Sequence, residues 1–226
     1  MEKLTVTFNY NLPFENFLAD SFVSRSVPFS VAHVSDGNGE KAMITAECEK
    51  DVFNDVLAEG MTIAYKTGRV RQTIEGRGVA YAAFCGVLVG QEFEAEKKSI
   101  KDKLPDTNDV NADGIFNFLL AETDYAWRAL ATLGGKLYAQ CREKEDVYAL
   151  IRYFLGGETL LQRTLVVDKG IYYDDDNTDM PCFSAFGDES EDAAFNLMIK
   201  KPSEVIVPTP SRYSPDLIEL IRKLGE

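Results

Sequence analysis

Lys41-Ala42-Met43-Ile44-Thr45-Ala46-Glu47-Cys48-Glu49-Lys50-Asp51-Val52 is where the pattern of this chain changes. Up to Glu47 the apolar residues Ala42, Ile44 and Ala46 recur at every second position, the period of a half-buried strand. From Asp51 onward the apolar spacing lengthens to that of a helix and stays helical as far as Gly157. Mixed structure precedes this region and returns after it. The chain therefore reads as an α+β protein: a helical middle region, 51–157, flanked by mixed α/β segments at 1–50 and 158–226. The two ends can share one sheet and form one continuous domain; the alternative is three separate subdomains.

N-terminal to the switch, Asp36-Gly37-Asn38-Gly39 is a hairpin turn, because glycine and asparagine accept the positive φ such turns demand. It joins strand candidates at 29–34 and 41–47. Leu4, Val6 and Phe8 alternate as a first strand, and Phe14, Phe17, Leu18 and Phe22 recur at helical spacing. C-terminal to the switch, helices are expected at 52–75, 79–98, 115–138 and 146–155. Pro105 bars continuity between the second and third, and Gly156-Gly157 stops the fourth. Strands at 160–168 and 170–174 turn at Lys169-Gly170. A helix at 191–200 leads to a short buried strand at 204–207. The last helix is fully marked, with Ser214 as N-cap, Pro215 at the first helical position, Asp216 in the first turn and Gly225 beyond the end.

The 226 residues are enough to bury a real core, and 45% hydrophobic with 27% charged residues is an ordinary globular balance. A formal charge of −13 repels phosphate backbones and anionic lipids, so neither nucleic acid nor membrane is an expected partner. The longest apolar run, 79–90, falls short of the roughly 20 residues a bilayer needs. Cys48, Cys85, Cys141 and Cys182 are widely spaced and read as reduced thiols of a cytoplasmic protein.

Three constellations carry candidate chemistry. Asp109, Asn111, Asp113 and Gly114 match positions one, three, five and six of a calcium loop, but the twelfth, where a bidentate acid belongs, is Leu120. Asp106 or Glu122 could complete such a site; the competing reading has Asn111 or Asp113 capping the helix that follows. The second is an acidic segment, Asp168, Asp174, Asp175, Asp176, Asp179, Asp188, Glu189, Glu191 and Asp192. Its 174–176 run could hold magnesium or calcium, or lie in a solvated loop. The third is a basic island, Lys66, Arg69, Arg71 and Arg77, suited to a phosphate or an acidic partner surface, or else a solvated helix face.

Other signals point away from catalysis. Gly37-x-Gly39-x-x-Ala42 has dinucleotide-loop spacing, yet the element after it is a strand, where that loop must enter a helix. Walker A and G-x-S-x-G sequences are absent. His33 is the sole histidine, so any catalytic triad runs through one strand residue and a multi-histidine metal site is impossible. Tyr125, Trp127, Tyr148, Tyr153 and Phe154 read as core, with some able to line a groove for a partner helix.

Asn111-Ala112-Asp113-Gly114-Ile115-Phe116-Asn117-Phe118 opening a long helix, Ile151-Arg152-Tyr153-Phe154-Leu155 closing the helical region, and Glu204-Val205-Ile206-Val207 following a late helix form a recognisable succession. It resembles the YtxC-like sporulation-associated proteins of spore-forming Firmicutes over residues 40–210. The chain departs from that pattern where Leu119-Leu120-Ala121 replaces basic residues and where Pro208 stands in place of a histidine. The resemblance implies a sporulation setting and no catalytic residues. The expectation is a non-enzymatic module that binds a protein partner and needs no cofactor. The alternative is a carboxylate-dependent metal enzyme acting on a phosphorylated small molecule, with Asp174, Asp175 or Asp176 on calcium or magnesium and the arginines on phosphate.

Overall fold

The computed structural model describes residues 1–37, 39–156 and 161–225. In chain order the elements are β1 (Glu2–Asn9), α1 (Leu12–Ser24), β2 (Phe29–Asp36), β3 (Gly39–Cys48), α2 (Lys50–Thr73), α3 (Val79–Gly90), α4 (Phe93–Lys103), β4 (Asp109–Asn111) and α5 (Ala112–Leu119). They continue as α6 (Ala121–Tyr138), α7 (Lys144–Leu155), β5 (Leu161–Val167), β6 (Ile171–Tyr173), β7 (Asp179–Met180), α8 (Glu189–Lys200), β8 (Pro202–Ile206) and α9 (Pro215–Leu224). The fold is α+β. It divides into two compact units, residues 1–66 with 92–126, and residues 67–91 with 127–226. Each unit is discontinuous in sequence, and the chain passes between them within α2, between α3 and α4, and within α6.

The first unit is built on a sheet of order β2-β3-β1-β4. β1 and β3 pair antiparallel with Val6 opposite Ile44, and β3 pairs with β2 so that Val31 also lies opposite Ile44. This register brings Leu4, Val6, Phe8, Ala42, Ile44 and Ala46 to one face, where all are buried. On the other face Thr5, Thr7, Met43 and Thr45 remain half-buried. Helix α1 begins at Asn11, whose side chain accepts from the Phe14 N–H, and buries Phe14, Phe17, Leu18 and Phe22. It lies so close to α2 that a Cβ on Gly60 would stand 2.9 Å from both Leu18 Cδ2 and Phe14 Cε2.

In the second unit the sheet order is β7-β6-β5-β8. Its core is α3, the apolar run of the sequence, with 11 of its 12 residues buried, as a helix without a polar face must be. The backbones of α3 and α8 meet at Gly86, where a Cβ would come within 2.3 Å of the Phe195 carbonyl oxygen. β5 and β6 form the expected hairpin, with Lys169 at φ 58° and Gly170 at φ 156° in its turn. Helix α9 is capped as its sequence dictates, Ser214 accepting from the Leu217 N–H.

Several sequence expectations are corrected. The two ends do not share a sheet: β1 to β3 belong to one, β5 to β8 to the other, and β4 joins the first from the helical middle. The single helix expected at 79–98 is two, because Gln91 is extended and Glu92 left-handed at φ 53°. The helix expected at 115–138 starts earlier, at Ala112, and is interrupted at Leu120 (φ −110°, ψ 22°). β8 is not buried; Ser203, Glu204 and Ile206 are exposed on a sheet edge. Asn38 of the hairpin turn, Gly157 of the helix stop and Leu160 of the expected strand lie outside the described residues.

Candidate functional site

The calcium-like stretch is an anchoring point of the first unit. Asp109 is exposed in β4, which runs parallel to β1. The Asn111 side chain accepts from the Gly114 N–H at 2.8 Å and caps α5. Asp113 uses both carboxylate oxygens: Oδ2 accepts from the Asn9 backbone N–H at 2.6 Å and Oδ1 from the Tyr65 hydroxyl at 2.9 Å. The Tyr65 ring stacks on Phe116 at 4.2 Å with an interplanar angle of 4°. A small cleft of about 230 Å³ opens here, lined by Thr7, Asn9, Lys41, Asn111 and Asp113. Leu120, the residue at the twelfth loop position, is fully buried, so the core takes the place where an EF-hand sets its bidentate acid. Asp106 is paired with Lys50, and Glu122 is exposed at the start of α6. Among the described residues, no group of three or more His, Cys, Asp or Glu side chains gathers as a metal site would.

The acidic segment is also taken up by local structure. Asp175 and Asp176 meet Arg163 at 2.8 and 3.0 Å, and its guanidinium lies over the Tyr173 ring at 4.1 Å. Asp176 also accepts from the Thr178 N–H, while Asp174 is exposed. Asp188 caps α8 by accepting from the Ser190 and Glu191 N–H groups. Asp192 accepts from the Phe186 N–H; burial holds its carboxyl above the ordinary range. Glu189 pairs with Arg212, and Glu191 accepts from the Gly78 N–H.

The basic island is not one face. Lys66 is fully buried in the first unit, with its ammonium 2.6 Å from Glu96 Oε2, so it does not contribute to an exposed basic surface. Burial pushes its pKa down, against the opposing pull of Glu96. Arg69, in the second unit, donates to Gln72 at 3.2 Å. Arg71 donates to the Ala185 carbonyl and lies over the Phe186 ring at 4.9 Å. Arg77 lines a cleft of about 320 Å³ together with Tyr81, Tyr138, Cys141, Arg142 and Lys144. In that cleft Lys144 already serves Asp216 and Glu219, whose hydrogen bonds raise its pKa, Glu219 first. The arginine that Asp175 and Asp176 meet is Arg163, which is not one of the four residues of the island. His33 is exposed on β2, within 2.8 Å of Glu15 Oε2.

Aromatic spacing alone did not separate core from surface. Trp127 and Tyr148 are buried, whereas Tyr125 is 76% exposed and Tyr153 75%. In the first unit Tyr125 follows Phe118, at 84% exposure, and Leu119, at 49%. The available signal was an excess of apolar residues. Ile115, Phe116, Phe118 and Leu119 exceed what one buried stripe of an eight-residue helix can absorb. Helix α5 buries Ile115 and Phe116 and leaves Phe118 outside. No family model, curated protein or solved structure matches this chain.

Proposed function

We propose that this protein is a non-enzymatic protein-interaction module of the cytoplasm, which docks a partner on the apolar corner where α5 passes into α6. The observation that carries the reading is the exposure of Phe118 and Tyr125, with Leu119, next to Phe118 in sequence, half-exposed. Covering a side chain of that size yields about 1.5–3 kcal/mol, which this chain alone leaves unused at both residues. Exposed aromatics so placed serve as anchors for a partner surface. The net charge of −13 favours a partner whose rim is basic. A sporulation setting, suggested by the YtxC-like order of features, is compatible with such an adaptor.

The test compares the intact protein with a Phe118→Ser/Tyr125→Ser double variant as baits for cross-linked partners from a sporulating culture. The expected result is a partner retained by the first and lost by the second, with both baits folded to the same circular-dichroism spectrum. An identical set of retained proteins would refute docking at this corner.

A further inference from the structure

β2 is the outer strand of the first sheet and is paired on one side only. Its register with β3 is unbroken from Phe29 opposite Ala46 to Asp36 opposite Gly39. The Tyr10 N–H donates to the Glu40 carbonyl, so even-numbered residues of β3 address β1. The Glu47 N–H donates to Pro28, so odd-numbered residues of β3 address β2. Ser30, Ala32 and Val34 therefore bond to β3, and Phe29, Val31, His33 and Ser35 aim their N–H and C=O groups away from the sheet. Among the described residues none of these four makes a further backbone hydrogen bond.

Sheet edges are ordinarily protected by shortness, lysine, proline or a bulge. The opposite edge of this sheet, β4, has three residues. In the second sheet β7 has two residues, while β8 begins with Pro202 and pairs through a register shift. β2 has eight residues and no lysine, arginine, proline or register break, and Val31 and Val34 are 39% and 52% exposed. Charge defines what fits beside it. Glu15 contacts His33, and Glu40 lies opposite Ser35 on the same side of the sheet, the side of α1. The other side offers Ala32, Val34 and Met43, with Lys41 and Glu47 at its margins. A second copy of the chain would bring these same carboxylates, and another −13 charges, against themselves.

We propose that β2 accepts an extended segment of a partner protein as an added strand, with lysine or arginine on the side facing Glu15 and Glu40 and β-branched apolar residues on the side facing Ala32 and Val34. The inference rests on the interaction reading of this protein but uses the edge opposite the one from which α5 departs.

The test uses capped nine-residue peptides alternating Val with Lys or Val with Glu, titrated calorimetrically into the full chain. The Val/Lys peptide is expected to bind, and the Val/Glu peptide to bind at least tenfold more weakly. Val31→Pro removes only an outward N–H, as edge strands tolerate, and should weaken the Val/Lys peptide at least tenfold. N-methylation of alternate peptide amides should abolish binding while the protein is left untouched. The Phe118→Ser/Tyr125→Ser variant should bind the peptide as the wild type does, which separates this edge from the α5–α6 corner. No binding of the Val/Lys peptide, equal binding of the Val/Glu peptide, or binding unaffected by both Val31→Pro and N-methylation would overturn the proposal. A dimer that Val31→Pro converts to a monomer would overturn it in favour of a second copy.

Discussion

Tyr65 donates a 2.9 Å hydrogen bond to Asp113 across 48 residues of sequence, while the other oxygen of the same carboxylate holds the Asn9 N–H. The residue with the best claim to a calcium ion is thus a structural acceptor joining β1, α2 and α5. Asp113→Ala would take the acceptor from a half-buried hydroxyl and from an exposed backbone N–H that water can reach, at a cost of about 1–2 kcal/mol, and Tyr65→Phe would cost about 1 kcal/mol. Urea unfolding should give the same losses with calcium and with EDTA. A loss present in calcium alone would reassign Asp113 to an ion.

The same pair sets an alkaline dependence. Burial, then Asp113, raises the Tyr65 pKa above its ordinary 10.0. Above about pH 10 the unfolded chain therefore releases a proton that the folded chain keeps, and stability falls as pH rises. Tyr65→Phe should remove that part of the alkaline slope, as read from unfolding midpoints between pH 9 and 11.

Lys66 and Glu96 give the opposite sign. The folded pKa of Lys66 lies below its ordinary 10.5, burial being the larger cause, so between those two values the unfolded chain holds more protons and stability rises with pH. Glu96→Gln removes the nearest carboxylate from a buried ammonium and should cost about 3 kcal/mol at neutral pH, less as the solution nears pH 10. Lys66→Met, of similar length and without charge, should be neutral or stabilising. Chemical denaturation of the two variants at pH 7 and pH 9.5 checks both directions.

At Gly86, α3 packs directly against the backbone of α8. A methyl group there meets the Phe195 carbonyl oxygen at 2.3 Å, and neither backbone is a flexible side-chain end that could step aside. Gly86→Ala should cost about 3 kcal/mol or leave the second unit unfolded, although alanine is the better helix former. Gly68→Ala, in a helix with open space at that position, is the matched control and should be neutral or stabilising.

Thiol reactivity should separate the cysteines. Cys85 is fully buried and its pKa is pushed up to about 12, and burial also raises that of Cys48. At pH 8 a disulfide reagent should label Cys141 and Cys182, which are half-buried, and reach Cys48 and Cys85 only when denaturant opens the fold. Mass spectrometry of partially labelled protein reads the order.

Local geometry was legible because it is written in local chemistry. The period of two in Leu4, Val6 and Phe8, the cap at Ser214 with Pro215, and the unbroken apolar run of α3 each determine their own backbone without reference to distant residues. β4 was not legible: three residues with only Val110 buried are too few to show a period, and their partner β1 lies about a hundred positions earlier. Nor could charge spacing show that Lys66 is buried, since the carboxylate that permits it, Glu96, arrives from a different helix.

By itself, then, the sequence determined the class of the fold, most of its helices and strands, and an acidic surface. Tertiary structure decided which side chains those elements bury and which strand edge lacks a neighbour. It consumed Asp113 in a cap-and-anchor network, divided the basic island between two units, and left Phe118, Tyr125 and the outer edge of β2 uncovered. The physical reason is that periodicity records the geometry of one element at a time, whereas burial, ion pairing and an open edge depend on what the rest of the chain brings alongside.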